Sequence, residues 1–304
     1  MAKAATVAIV GRTNAGKSTL VNMLVGEKVS IVSPVEQTTR NTVRAIVMDE
    51  RGQLVLLDTP GLHKAVGELG RLLNRMARRT SAGADILCVL FDAAVAPQME
   101  DVGWMQRVVR ENPPKVLFVL NKADKKPFFE TEYHEAWKQA QAEGGECESQ
   151  VKWVKCVATS AEGSKDVLDS LFDYACDGEA LFPEDIVTDY PRRLAIADSI
   201  REKFLAMLHQ ELPHELGVAV KNIDESNPGR WDVKVDLLVN RASQKPIVIG
   251  RGAEVIKRAR KSAERELSDM FGVKVALELW VRVEPDWMKN KRLLTEMGYL
   301  GGEI

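Results

Sequence analysis

Gly11-Arg12-Thr13-Asn14-Ala15-Gly16-Lys17-Ser18 decides how this 304-residue chain is read. The apolar run Thr6-Val7-Ala8-Ile9-Val10 precedes it and Thr19-Leu20-Val21-Asn22-Met23-Leu24 follows it, giving the order strand, glycine turn, helix start. That is the setting a phosphate-binding P-loop requires. Gly11 and Gly16 let successive backbone N–H groups converge on a phosphate, where the positive end of the helix dipole adds to them. Gly11, Asn14, Ala15, Gly16, Lys17, Ser18 and Thr19 are therefore expected to cradle phosphates. Lys17 would reach the β- and γ-phosphates, and Ser18 would hold Mg²⁺.

The length suits two domains, each able to bury its own core. A formal net charge of −2 argues against nucleic-acid binding over the whole surface, so charge has to be read by segment. Cys88, Cys147, Cys156 and Cys176 are scattered without metal-ligand spacing, which fits a reduced, cytoplasmic compartment. The sequence goes straight into its first apolar run without a charged n-region, so secretion is not expected, and its longest apolar run, Ile86 to Phe91, is far too short to span a bilayer. Peripheral association at the inner face of the cell membrane stays compatible with this composition, and a monomer is expected.

Downstream of the P-loop, Thr42 to Met48 and Leu54 to Leu57 read as a strand pair joined by Asp49-Glu50-Arg51-Gly52. The second strand ends in Asp58-Thr59-Pro60-Gly61. In isolation that tetrapeptide is a proline turn. Behind a P-loop, Asp58 fits the carboxylate of a Mg²⁺ shell and Gly61 the N–H that meets a γ-phosphate. The apolar runs Ile86 to Phe91 and Val116 to Leu120 read as strands buried on both faces, with helical patterns between, including Val102 to Val109. The second run ends in Asn121-Lys122-Ala123-Asp124. A carboxylate there accepts two hydrogen bonds from the N1–H and 2-amino group of guanine, a donor pair adenine lacks, so Asp124 is the expected specificity residue. Asn121 and Lys122 would brace the loop and cover the base. After a strand over Val151 to Val157, Ser160 and Ala161 are placed to put a backbone N–H on guanine O6.

Gly11 to Ser18, Thr38-Thr39, Asp58 to Gly61, Asn121 to Asp124 and Ser160-Ala161 together resemble the five signatures of translation-factor-type GTPases, in their usual order. The resemblance implies a doubly wound, mostly parallel α/β sheet with GTP/GDP and Mg²⁺ at the carboxyl ends of its strands. It makes Thr39, with Thr38 as the alternative, the switch threonine that closes on Mg²⁺ and the γ-phosphate. Lys17, Thr39 and Gly61 would then be the catalytic set, and Ser18, Thr39 and Asp58 the metal set. Leu62 stands where Ras-like enzymes carry the glutamine that orients water, so intrinsic hydrolysis is expected to be slow. His63 is read as an exposed loop residue without a catalytic role.

A turn-rich segment, 179–191, reads as a linker between a GTP-binding domain over 1–178 and a second domain over 192–304. The second domain opens with a helix carrying Leu194, Ile196, Ile200, Phe204 and Leu208 on one face, followed by strands Val218 to Ile223 and Trp231 to Leu237. Ile249, Gly250, Arg251, Gly252 and Ala253 then lead into a helix reaching about Phe271. Ile256, Ala259, Ala263, Leu267 and Met270 are expected to face its core. Over 251–265, six cations stand against two carboxylates, a local excess near +4. Small residues at a helix start let a nucleic-acid backbone approach, as in the GXXG clamp of KH domains. The last clamp position, Ala253, departs from glycine and is expected to alter the clamp geometry. Trp287, Leu293, Leu294 and Tyr299 in the tail are expected to cap a core.

The order helix, strand, strand, glycine turn, helix, strand resembles an α+β type II KH domain. With the P-loop domain, the stretches Pro191 to Lys203 and Leu277-Glu278-Leu279-Trp280-Val281 make the whole chain resemble the Era family of GTPases. That resemblance implies a slow GTPase, stimulated by RNA or the ribosome, that binds the 3′ end of small-subunit (16S) ribosomal RNA and assists small-subunit assembly. Ile249, Gly250, Arg251, Gly252, Ala253, Lys257, Arg258 and Lys261 would hold the RNA. Two rivals remain open at this stage: an RNA-binding assembly factor whose nucleotide is structural, and a metabolic P-loop phosphotransferase, against which Asn121 to Asp124 argues.

Overall fold

Uninterrupted apolar runs in a parallel sheet must be covered on both faces, and two of them, 86–91 and 116–120, lie side by side within the sheet of the first unit. The computed structural model describes residues 2–33, 39–61, 67–208 and 212–299. Two units form, one from residues 2–32 and 39–189, the other from residue 190 onward. In the first, the elements are β1 (Lys3–Val10), α1 (Lys17–Val25), β2 (Val43–Asp49), β3 (Gly52–Asp58), α2 (Gly67–Ala82), β4 (Ile86–Asp92), α3 (Met99–Glu111), β5 (Lys115–Asn121), α4 (Glu130–Gly144), β6 (Gln150–Lys155), α5 (Ala161–Tyr174) and β7 (Cys176–Asp177). The sheet order is β2-β3-β1-β4-β5-β6, with β7 pairing the start of β1. Pairing is parallel except where β2 meets β3 and β7 meets β1.

Alternation along β1 feeds two cores. Val7 and Ile9 pack with Leu20 and Val21 of α1 and Val167 and Leu171 of α5, whereas Ala8 and Val10 pack with Trp104 and Val108 of α3 and Tyr133 and Trp137 of α4. Side chains of period two thus place helices on both faces. The same register aligns the strand ends, pairing Ile9 with Asp58 and Asp92 with Asn121, so every chemistry-bearing turn falls on one edge. Segment 179–189 straps onto β2 and β3: buried Gln53 donates to the Phe182 carbonyl at 2.8 Å and accepts from the Leu181 and Phe182 N–H groups, while Ile46 N–H donates to Val187. Polar turn composition concealed this anchoring, because it is made by Gln53, Arg44 and the Ile46 N–H, none of which has a local pattern that marks it.

The second unit contains α6 (Arg192–Leu205), α7 (Leu212–Glu215), β8 (Gly217–Asn227), β9 (Arg230–Val239), α8 (Lys245–Ile249), α9 (Glu254–Phe271), β10 (Lys274–Val283) and α10 (Lys291–Glu296). Its sheet order is β10-β9-β8; β8 is antiparallel and β10 parallel to β9, so a helical crossover must join β9 to β10. Ile196, Ile200 and Phe204 of α6 and Ala259, Ala263 and Leu267 of α9 form the core against Val218, Val233 and Val235. Two sequence expectations need correction. Ile247, Val248 and Ile249 belong to a short helix, α8, with Pro246 in its first turn, where the sequence order had only a turn. Met270 is 41% exposed, because the apolar stripe of α9 runs from Leu267 to Phe271, which is half-buried against the core, and leaves Met270 beside it.

Trp287, Leu294 and Tyr299 are buried as expected. Trp287 is fully enclosed, its Nε1–H donates to the Glu215 carbonyl at 2.8 Å, and a Cβ on Gly217 would lie only 3.1 Å from its ring. Trp287→Ala is therefore expected to destabilise the second unit by about 3–5 kcal/mol in urea unfolding followed by circular dichroism. A cost below about 1 kcal/mol would mean the tail is not part of this core.

Candidate functional site

The P-loop conformation follows from two glycines that nothing larger can replace. Gly11 has φ +146° and a Cβ there would lie 2.3 Å from the Leu90 carbonyl; Gly16 has φ +101° and a Cβ there would lie 2.3 Å from Asn121 Nδ2. Asn14 also takes a left-handed φ of +61°, which asparagine tolerates. α1 starts at Lys17, so its first unpaired N–H groups face the loop. Lys17 is 6% exposed and its Nζ donates to the Arg12 carbonyl at 2.9 Å and the Gly11 carbonyl at 3.3 Å. Burial pulls its pKa down to about 8, partly offset by Asp58.

Asp58, fully buried at the end of β3, carries two carboxylate oxygens without a hydrogen-bond partner. Burial raises its pKa; the Ser18 and Ser30 hydroxyls are near enough to favour the charged form without closing a hydrogen bond. Ser18 Oγ lies 2.9 Å from Thr39 Oγ1, so the two hydroxyls expected to hold a metal meet beside this carboxylate. Hydroxyls beside an unpaired buried carboxylate are the hard oxygen donors that Mg²⁺ prefers, and the residues present fit it. Clusters of three or more histidine, cysteine or acidic ligands do not occur among the described residues. A Cβ on Gly61 would stand 2.8 Å from Thr13 N and 2.9 Å from Lys17 Nζ, which places that backbone directly against the P-loop. Thr38, Leu62 and His63 lie outside the described residues.

The base loop is assembled by one side chain. Asn121, 2% exposed, donates from Nδ2 to the Ala15 carbonyl at 2.8 Å and accepts at Oδ1 from the Ala158 N–H at 3.0 Å. The P-loop, the 121–124 turn and the loop before α5 are thereby tied together. Asp124 is exposed at this edge, and Ser160 caps α5, accepting from the Gly163 N–H at 3.2 Å with Ala161 as first helical residue. β6 ends at Lys155, two residues before the expected Val157, because the chain turns there to bring Ala158 under Asn121.

Sequence reading missed a polar chain beneath these loops. Asp92 takes Lys122 Nζ at 2.7 Å and Arg12 Nη2 at 3.6 Å, while Arg12 Nε reaches Asp101 at 3.2 Å, and the Tyr133 hydroxyl donates to Asp101 at 3.2 Å. Asp101 is fully buried, and burial lifts its pKa. The available signal was an arginine inside the P-loop together with acids ending β4 and opening α3.

In the second unit, Gly250 has φ +77°, and a Cβ there would strike Val255 at 2.5 Å. Arg251, Gly252 and Ala253 form a single tight turn leading into α9. Ala253 itself adopts φ +63°, ψ +29°: the alanine takes the left-handed conformation that glycine would take and bears the strain, so the turn is preserved. Arg251, Gly252, Lys257, Arg258 and Lys261 are exposed, Ile249 is half-buried, and Lys257 Nζ reaches back to the Gly252 carbonyl at 3.3 Å. The eight residues expected to hold RNA thus share one turn and the first two turns of α9.

Residues 6–122 match the family described as 50S ribosome-binding GTPase, and residues 211–288 match the KH domain family. GTPase Era of Clostridium perfringens is 33% identical over 299 residues, covering 98% of this chain and 99% of its own. GTPase Era of Synechocystis is 36% identical over 295 residues, covering 96% and 91%. The chain belongs to the Era GTPase family. Among solved structures, Era in complex with MgGDPNP and nucleotides 1506–1542 of 16S ribosomal RNA superposes with a TM-score of 0.87 at 32% identity, covering 98% of this chain and 99% of that one. A substituted Aquifex aeolicus Era bound to GDP and aluminium fluoride gives a TM-score of 0.86 at 32% identity. As in the Era family at large, a P-loop GTPase domain is followed by a KH domain.

Two predictions concern these sites. With Lys17 near pKa 8 in the free protein and raised beside bound phosphate, GDP binding is proton-neutral at Lys17 near pH 7 and takes up a proton above pH 8. Affinity should then fall by up to about tenfold per pH unit beyond that point. Calorimetric titration at pH 8.5 in buffers of different ionisation enthalpy reads this uptake, and none at that pH would contradict it. Ala253→Gly should relieve left-handed strain and stabilise the second unit by about 1 kcal/mol in urea unfolding, while destabilisation would show that the alanine is unstrained.

Proposed function

We propose that this Era-family GTPase binds and hydrolyses GTP with Mg²⁺ and uses that cycle to control its KH domain on the 3′ end of 16S ribosomal RNA during small-subunit assembly. The observation that carries the reading is the pairing, in one chain, of a buried Lys17 and orphaned Asp58 at a P-loop with a strained glycine-type clamp on a basic helix. Buried charge is costly, and a triphosphate with its metal supplies what is missing, an anion against Lys17, which has only carbonyl partners, and a cation against the unpaired oxygens of Asp58. The likeness to an Era complex holding MgGDPNP and 16S RNA nucleotides supports the same pair of ligands here.

Hydrolysis proceeds by in-line attack of water on the γ-phosphate. Ser18, Thr39 and Asp58 would hold Mg²⁺, which would offset the charge of the phosphates. The P-loop N–H groups and Lys17 orient the phosphates, and the Gly61 N–H faces the γ position. Since Leu62 has no group able to orient water, switch backbone, another side chain or a bound partner has to do so, and a partner would account for RNA or ribosome stimulation. In the clamp, Gly250 and Gly252 let the RNA backbone approach while Arg251, Lys257, Arg258 and Lys261 offset its charge.

The same reading has the protein acting as a monomer in the cytoplasm, with peripheral access to the inner face of the cell membrane. Its support is the free state of all four cysteines and the location of GTP and ribosomal RNA. None of the described helices is long and apolar enough to cross a membrane.

Asp124→Asn should lower the preference for GDP over ADP by a hundredfold or so, because the charge is lost and the amide NH2 turns a donor towards one of the two guanine donors, leaving a single acceptor oxygen. Competition binding reads the ratio, and an unchanged ratio refutes the assignment. The RNA half of the proposal is read by fluorescence anisotropy of an oligonucleotide copying the 3′ end. Gly252→Asp should abolish binding, and undiminished binding would move the RNA site elsewhere.

A further inference from the structure

α2 carries four arginines and, in its sequence, the single acid Glu68. At 100° per residue, Arg71, Arg75, Arg78 and Arg79 fall within about 100° of one another, opposite the buried Leu69, Leu73 and Ala77. All four are exposed, and among the described residues no carboxylate lies within ion-pair distance of any of them. The patch continues onto α3. Arg107 Nη2 lies 3.5 Å from the Arg78 carbonyl, and Arg110, 72% exposed at its side chain, stands beside it. Glu111 at the end of α3 is engaged by Arg107 at 2.8 Å and Arg110 at 3.8 Å. Arg78 and Arg110 both add like-charge pressure on Arg107, a further sign that the cations are close-set.

A solvated helix face ordinarily alternates its charges; spacings of three and four between like charges, as in Arg71–Arg75, Arg75–Arg78 and Arg75–Arg79, oppose helix formation. Arginine rather than lysine at all four positions supplies planar forks suited to phosphate oxygens. From Arg71 to Arg79 the patch runs about 12 Å along the axis, enough for successive phosphates of one strand. We infer that the exposed face of α2, extended by Arg110 of α3, is a second RNA-binding surface, taking the phosphate backbone of ribosomal RNA without reading its sequence. The inference rests on the proposed RNA-binding function and adds an RNA contact on the GTPase unit itself. α2 is also the helix that follows the Asp58 to Gly61 turn, so backbone held there bears on the segment that faces the γ-phosphate.

The test uses the full chain and a variant, Arg71→Gln, Arg75→Gln, Arg78→Gln and Arg79→Gln together, with Arg75→Gln and Arg78→Gln as a milder pair. Unchanged GDP affinity verifies that both are folded. Binding is measured against salt for complete 16S ribosomal RNA and for a single-stranded oligonucleotide copying only its 3′ end. The expected result is that the log–log salt slope for the complete RNA falls by about 0.7–0.9 for each phosphate that the variant no longer neutralises, about three units in the fourfold variant. Oligonucleotide binding should be unaltered. Identical slopes for the complete RNA in wild type and variant overturn the inference, as does a loss seen only on anionic phosphatidylglycerol vesicles, which would make the patch a membrane-binding surface. Failure of the wild type to bind the oligonucleotide counts instead against the KH-domain reading, so the two failures are distinct.

Discussion

The carboxamide of Asn121 sits between the Ala15 carbonyl and the Ala158 N–H, and the nucleotide site depends on that position being filled. Three turns leave three different strand ends, and each by itself would be a mobile loop. The amide satisfies a buried acceptor with one end and a buried donor with the other, an arrangement that leaves unpaired polar groups if either atom is lost. Gly16 has to be glycine for the same reason, since a Cβ would occupy the space of Asn121 Nδ2. The phosphate grip and the base loop are therefore one construction. The chain of Lys122, Asp92, Arg12, Asp101 and Tyr133 below it joins the same two loops a second time through charge.

Much of this was legible in the sequence because the chemistry demands residue types at fixed spacings. Gly11, Gly16, Lys17, Asp58 and Asn121 are each dictated by a phosphate, a metal or a buried turn, and the uninterrupted apolar run of β4 could only be a central strand. What escaped reading was set by tertiary context. The partnership of Arg12 with Asp92 and Asp101 spans distant positions in the chain and has no local pattern. Gln53 lies just outside the expected strand Leu54 to Leu57, yet it is buried in β3 and anchors 181–182. α8 was hidden because Ile247-Val248-Ile249 is too short an apolar run for periodicity to separate helix from strand. Ala253 was read as a departure from the clamp, whereas the turn imposes the left-handed conformation on whichever residue stands there.

Each unit keeps a local conflict where its ligand is expected. In the first it is electrostatic: Lys17 is buried far enough to lose much of its basicity, and the oxygens of Asp58 lack donors. In the second it is conformational, held in the backbone of Gly250, Gly252 and Ala253 and surrounded by exposed cations. Stable cores hold these conflicts in place, with Ile9, Leu20 and Leu171 on one side and Ile200, Ala263 and Leu267 on the other. A protein organised in this way gains most from ligands that carry phosphate, which is common to GTP and RNA.

Steady-state hydrolysis of GTP and of ATP, each with and without RNA copying the 3′ end of 16S ribosomal RNA, tests the account most directly. It predicts turnover of GTP alone, slow in isolation because Leu62 cannot orient the attacking water, and accelerated by the RNA. GTP turnover that stays at background while the RNA binds normally would contradict the coupling, and the protein would then be an RNA-binding factor whose nucleotide is structural.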